Sequence, residues 1–137
     1  SLMQRLVYVK TGISILKNNL VFGVGTGDLE MAFQDQYKND KSPLTAENRH
    51  RAHNQYLSLA LAFGIVGFLL IVFAFVYPIR VSKAYREPVF CAFLCVLLSS
   101  FLAEDTLESQ AGMSFFIFFY GIFVWAYPSK SAILAKS

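Results

Sequence analysis

Residues 56–79 include no Asp, Glu, Lys or Arg. A helix crossing the hydrocarbon of a bilayer needs roughly 20 apolar residues, with a tolerated range of about 17–25. The run from Tyr56 to Tyr77 satisfies that length, so the fold must accommodate at least one membrane helix. Residues 88–103 and 111–127 are also uncharged, slightly short for spans, and expected to borrow flanking residues. Composition points the same way. The chain is 55% hydrophobic and 15% charged, where a soluble domain carries about a quarter charged residues. The sequence predicts an all-α integral membrane protein, with amphipathic helices in residues 1–52 and three transmembrane helices with short loops and a tail in residues 53–137.

Charge placement predicts the orientation. Loop 79–88 holds Arg80, Lys83 and Arg86 against Glu87, and the tail holds Lys130 and Lys136 without an acid. Loop 104–110 has Glu104, Asp105 and Glu108 and no base. Lys and Arg near span ends mark the cytoplasmic side. Loop 79–88 and the tail are therefore expected inside, and residues 104–110 and those before 55 outside. Cys91 and Cys95 share one helix face without a CxxC or metal spacing and read as small packing residues. Ser1-Leu2 ahead of Met3 does not resemble a native start, and three spans are few for a membrane catalyst. A piece of a longer protein is expected.

Residues 2–22 read as an amphipathic helix. Leu2, Leu6, Val9, Ile13, Leu16 and Leu20 recur at alternating spacings of four and three, which draws one apolar stripe. Two or more charges make it a poor span, so it is expected at the interface or against a bundle. Arg5 falls on the edge of the stripe, with Gly12 further along that edge. Such an arginine can reach into whatever the helix covers; the alternative is a snorkelling interfacial arginine.

The run Gly23-Val24-Gly25-Thr26-Gly27-Asp28 follows. It is not GxGxxG and no GK[ST] succeeds it, so a nucleotide site is not expected. A turn between two helices and a backbone nest for an anionic headgroup both fit. A short helix is predicted from Asp28 to about Lys38, then an exterior loop through Asn48. No internal repeat is read.

Arg49, His50, Arg51 and His53 place two arginines and two histidines within five residues, read as the first turns of the helix that becomes span one. A helix N-terminus offers free N–H donors and positive potential, an anion site. That potential disfavours protonated imidazole, so a histidine there can accept a proton near neutral pH. His53, Leu57, Ala60, Gly64 and Gly67 fall on one stripe whose small residues let neighbouring helices approach. An ionisable residue at a membrane edge is a functional candidate, and the bland alternative is a histidine that closes a helix end. The carboxylates of loop 104–110 are read as solvated or paired with the basic loop, and the Phe-rich third span as packing, with Trp125 and Tyr127 at the inner interface.

His53-Asn54, nine residues, Gly64, two residues, Gly67 resembles the H-[NSQ]-x9-G-x-x-[GTY] signature of the O-antigen ligase and Wzy polymerase superfamily. Arg5 upstream, an amphipathic helix and Gly23-Val24-Gly25 are also similar to that family. The resemblance covers residues 4–67. It implies the C-terminal portion of a bacterial inner-membrane protein of about a dozen helices, with its site facing the periplasm. Such enzymes move a glycan from an undecaprenyl diphosphate carrier to an acceptor, which for ligases is the lipid A core, by inversion and without a metal or other cofactor. The resemblance implies that Arg5 binds the carrier diphosphate. It casts His53 as the catalytic histidine that activates or positions the acceptor hydroxyl, and Asn54 as the residue that orients it. Arg51 does not map onto a motif of that family and is expected only as a secondary diphosphate contact. The implied partners are the carrier-linked glycan, lipid A-core or another glycan acceptor, membrane lipid and the missing N-terminal helices, with no nucleic acid; the piece alone should be inactive. A polysaccharide polymerase is the alternative within the class. A lipid or polysaccharide transporter fragment, or a non-catalytic scaffold, is the alternative outside it.

Overall fold

A glycine about a third of the way along a 28-residue helix organises the fold. The computed structural model describes residues 2–40, 44, 48 and 50–126. Arg49, Tyr127, Lys130 and Lys136 lie outside the described residues. Within them the chain is helical: α1 (Leu2–Asn18), α2 (Leu29–Asn39), α3 (Gln55–Ser82), α4 (Pro88–Ala103) and α5 (Gln110–Gly121), which runs on into a π-helical turn, Ile122–Ala126. It divides into two compact units, Ser1–Leu70 and Ile71–Ser137.

The first unit packs α1, α2 and the beginning of α3. Its core consists of Tyr8, Ile15, Leu29, Phe33, Tyr37, Leu61 and Ala62. Gly12 makes close approach possible: a Cβ there would lie 2.8 Å from Leu57 Cδ2 and 3.3 Å from Phe33 Cζ. The apolar stripe of α1 is not the face that packs. Leu6, Val9, Ile13 and Leu20 are exposed, whereas Tyr8, Thr11 and Ile15 are buried. Periodicity reports which face is apolar, and Gly12 decides which face fits against α3. The helix predicted over 2–22 ends at Asn18, where the Asn19 amide side chain donates back to the Ile15 carbonyl (3.1 Å).

At Gly64 (φ 64°, ψ −172°) α3 leaves the helical conformation and resumes beyond it. Gly23 holds φ 72° in the turn after α1. The two breaks exchange hydrogen bonds. In unbroken helices the amides of residues 24, 25, 65 and 66 would donate four residues back, to 20, 21, 61 and 62. Instead Val24 N–H donates to the Leu61 carbonyl (2.8 Å) and Gly25 N–H to that of Ala62 (2.9 Å). In return, Ile65 N–H donates to Leu20 (2.8 Å) and Val66 N–H to Val21 (3.4 Å). No amide of the four is left without an acceptor, which matters because irregular backbone in an apolar environment costs several kcal/mol per unsatisfied group. The two stretches that exchange these bonds are locally alike: Leu20-Val21-Phe22-Gly23-Val24 and Leu61-Ala62-Phe63-Gly64-Ile65.

In the second unit, Phe90, Phe93, Phe115 and Phe119 are joined by ring contacts, and Tyr120 links Phe75 to Phe90. Pro78, inside α3, has no N–H to give the Ala74 carbonyl and its ring crowds the preceding turn. On that turn Tyr120 donates its hydroxyl to the Phe75 carbonyl (2.6 Å). Ser109 caps α5 by accepting the Gly112 N–H (3.0 Å). Among the described residues α3 alone is long and apolar enough to cross a membrane; Pro88–Ala103 and Gln110–Trp125 are shorter apolar helices.

Candidate functional site at the entry to the apolar helix

The site is built around the start of α3. Asn54 Oδ1 accepts the Leu57 N–H (3.0 Å) and the Asn54 carbonyl accepts that of Ser58 (2.9 Å). This is an N-cap, which supplies acceptors for amides that have no partner inside the helix. The predicted helical turns from residue 49 are therefore corrected: residues 50–54 run outside any helix and α3 opens at Gln55. An asparagine whose short side chain competes for the helix's first amides favours a cap over a helix interior.

His53 precedes that cap, exposed to solvent and in the left-handed conformation, φ 44°. It is off the helix, and Gly64 is at a break in it, so the expected stripe from His53 to Gly67 does not exist as one face. The small residues serve other ends. A Cβ on Gly64 would run into the Val21 carbonyl and lie 2.6 Å from Gly23 N; one on Gly67 would lie 2.5 Å from Phe63 Cβ. The Val24 and Gly25 amides are committed to α3, so they cannot cradle an anion, and the turn reading of Gly23 to Gly27 stands over the nest.

Two buried tyrosines hold the segment before His53. Tyr37, with no exposed surface, donates its hydroxyl to the His50 carbonyl (2.7 Å). Tyr8 donates to the Asn48 carbonyl (2.8 Å) and meets the His50 ring edge-on, centroids 6.3 Å apart. Arg5 is exposed and precedes Tyr8 by three residues on α1, on the neighbouring turn. α1 thus carries both the guanidinium and a tie to the histidine segment. No hydrogen bond joins Arg5 to His53. Arg51 Nε lies 3.9 Å from Glu30 Oε2 of α2, a loose pair open to water.

Neither tyrosine was picked out by sequence reasoning. The signal was present: in a chain with 14 Phe, a Tyr on a packed face implies a hydroxyl that needs a partner. Cys91 Sγ is 3.2 Å from the Tyr85 carbonyl and makes no disulfide. Among the described residues, no three His, Cys, Asp or Glu side chains come close enough to hold a metal ion.

Fold and site define a helical membrane protein in which a polar, cation-bearing segment enters a kinked apolar helix. Residues 1–72 match the Wzy_C family, O-antigen ligase, and the chain belongs to that family. No curated protein and no solved structure matches the chain.

Proposed function

We propose that the chain is the C-terminal portion of an O-antigen ligase-like glycosyltransferase of the bacterial inner membrane. It moves a glycan from an undecaprenyl diphosphate carrier to lipid A-core at a site facing the periplasm. α3, α4 and α5 form three spans, with residues before 55 and 104–110 outside. The observation that carries this reading is His53-Asn54 at the capped start of a broken apolar helix in a chain of this family.

In the proposed reaction an acceptor hydroxyl gives its proton to His53 as its oxygen bonds to the anomeric carbon. The bond from that carbon to the diphosphate oxygen breaks, with inversion and without a metal. The carrier diphosphate leaves as an anion, and Arg5, with Arg51 as the second cation, offsets the growing charge. Asn54 acts through its cap, which fixes the chain direction at His53. A positioned base contributes about 10²–10⁴-fold. Transfer by the intact membrane protein from a defined carrier-linked glycan should fall by about that factor in His53→Ala, and steeply in Arg5→Ala. Near-normal transfer by both variants at normal membrane levels would sink the reading. The family match also accommodates a polymerase, in which the acceptor is another carrier-linked glycan. Loss of long chains, with attachment to lipid A-core intact, is the outcome that selects it. The match lends no support to a transporter.

A further inference from the structure

The bridge that carries His53 is short and tied at both ends. On one side the carbonyls of Asn48 and His50 accept the hydroxyls of Tyr8 and Tyr37 (2.8 and 2.7 Å). On the other, Asn54 is locked as the cap of α3 (3.0 Å). Arg51, Ala52 and His53 span the interval, and His53 takes the left-handed conformation, φ 44°.

The tyrosines do more than fill space. Tyr37 belongs to an apolar core with Leu29, Phe33 and Leu61, where a phenyl ring would bury equally well. A hydroxyl in such a core is costly unless bonded, and each of these finds its acceptor in the segment leading to His53. The two come from different helices, α2 and α1, so they fix the segment against both.

We propose that Tyr37 and Tyr8 are positioning residues: their hydroxyls anchor the carbonyls of His50 and Asn48 so that His53 is presented in one orientation. This rests on the reading of His53 given above. A base must stand within hydrogen-bond reach of the proton it takes, and a misplacement of about 1 Å can cost on the order of a hundredfold in rate. Anchoring the bridge reduces the conformations open to the imidazole without contact to substrate.

The test uses the full membrane protein with an undecaprenyl diphosphate-linked glycan and lipid A-core, and compares Tyr37→Phe, Tyr8→Phe, His53→Ala and Ser14→Ala. Both phenylalanine variants keep the buried ring and lose only the hydroxyl. Ser14→Ala removes the Gln36–Ser14 hydrogen bond (3.3 Å) between the same two helices, away from the segment. We expect kcat per folded protein to fall about three- to tenfold in each phenylalanine variant, the size of one lost hydrogen bond. KM for the donor should stay within about twofold, and Ser14→Ala should leave kcat within about twofold, since neither change touches a group placed on the carrier. If His53→Ala abolishes transfer while the phenylalanine variants match Ser14→Ala, the positioning role is overturned and the catalytic reading survives. If His53→Ala transfers normally, both fall together.

Discussion

Gly23 and Gly64 stand back to back: a Cβ on Gly64 would lie 2.6 Å from the Gly23 nitrogen, and one on Gly23 would lie 2.6 Å from the Ala62 carbonyl oxygen. Both have positive φ, 72° and 64°, and each break supplies the acceptors that the other's amides lack. The breaks are halves of one device. It fixes the depth at which the turn after α1 meets the apolar helix, and so fixes α1, Tyr8 and Arg5 relative to the start of α3.

Gly64→Ala should therefore destabilise the protein by at least 1–3 kcal/mol, roughly the cost of a side chain in a glycine-only conformation, with backbone displacement in addition. Gly23→Ala should behave alike. Because both damage the same exchange, the double variant should cost less than the sum. Thermal melts of the four proteins in detergent measure this, and simple additivity would show that the two breaks are independent.

Asn54→Ala should lose about 1 kcal/mol of stability, the usual cost of a missing cap, whereas Asn54→Asp and Asn54→Ser should keep most of it. If Asn54 works through its cap, transfer should follow the same order across these variants. Full activity in Asn54→Ala would separate the cap from catalysis.

Much of this was legible in sequence and some was not, for physical reasons. The apolar run of residues 56–79 announced α3 because length and hydropathy are local properties. Asp28 marked the start of α2 to within a residue, whereas the apolar stripe carried the first helix to residue 22, past its end at Asn18. The break at Gly64 was hidden, since an apolar glycine reads equally well as a packing residue. Only its pairing with Leu20-Val21-Phe22-Gly23 reveals it, and that is a relation between distant stretches. The α1 stripe is largely exposed within this chain, which agrees with a face expected at the interface or against other helices; what packs inside the unit is set instead by Gly12. His50 to His53 looked like helix because its residue types tolerate one; the cap at Asn54 outweighed them.

The pair between Arg51 and Glu30 is long, 3.9 Å, with the Glu30 side chain 63% exposed. Glu30→Gln should change stability by less than about 0.5 kcal/mol. If Arg51 is a diphosphate contact, Arg51→Ala should raise KM for the carrier-linked donor while Glu30→Gln leaves or lowers it. Equal effects of the two variants on KM would mean that the pair only holds α2.

Tyr120→Phe removes the hydroxyl that donates to the Phe75 carbonyl beside Pro78 (2.6 Å). The expected loss is about 1 kcal/mol, seen as a lower melting temperature with transfer per folded protein unchanged. The bond lies within the second unit, with Phe90 and Phe93. A selective loss of transfer without a loss of stability would assign that turn a part in the chemistry instead.

His53 offers the sharpest separation of stability from function. A non-glycine residue at φ 44° carries a conformational cost of about 1–2 kcal/mol relative to glycine, and that cost persists only where surrounding structure enforces it. Here Asn54 and the tyrosine-held segment do so. His53→Gly should therefore leave the protein at least as stable as the wild type, and more stable than His53→Ala, which keeps the Cβ and the strain. Transfer should fall by about 10²–10⁴-fold in both. Melting temperatures and transfer rates, measured on the same preparations, give the two readouts. A His53→Gly protein that melts well below wild type would mean that the imidazole holds the fold together, and that its exposure at the helix entry serves structure and not chemistry.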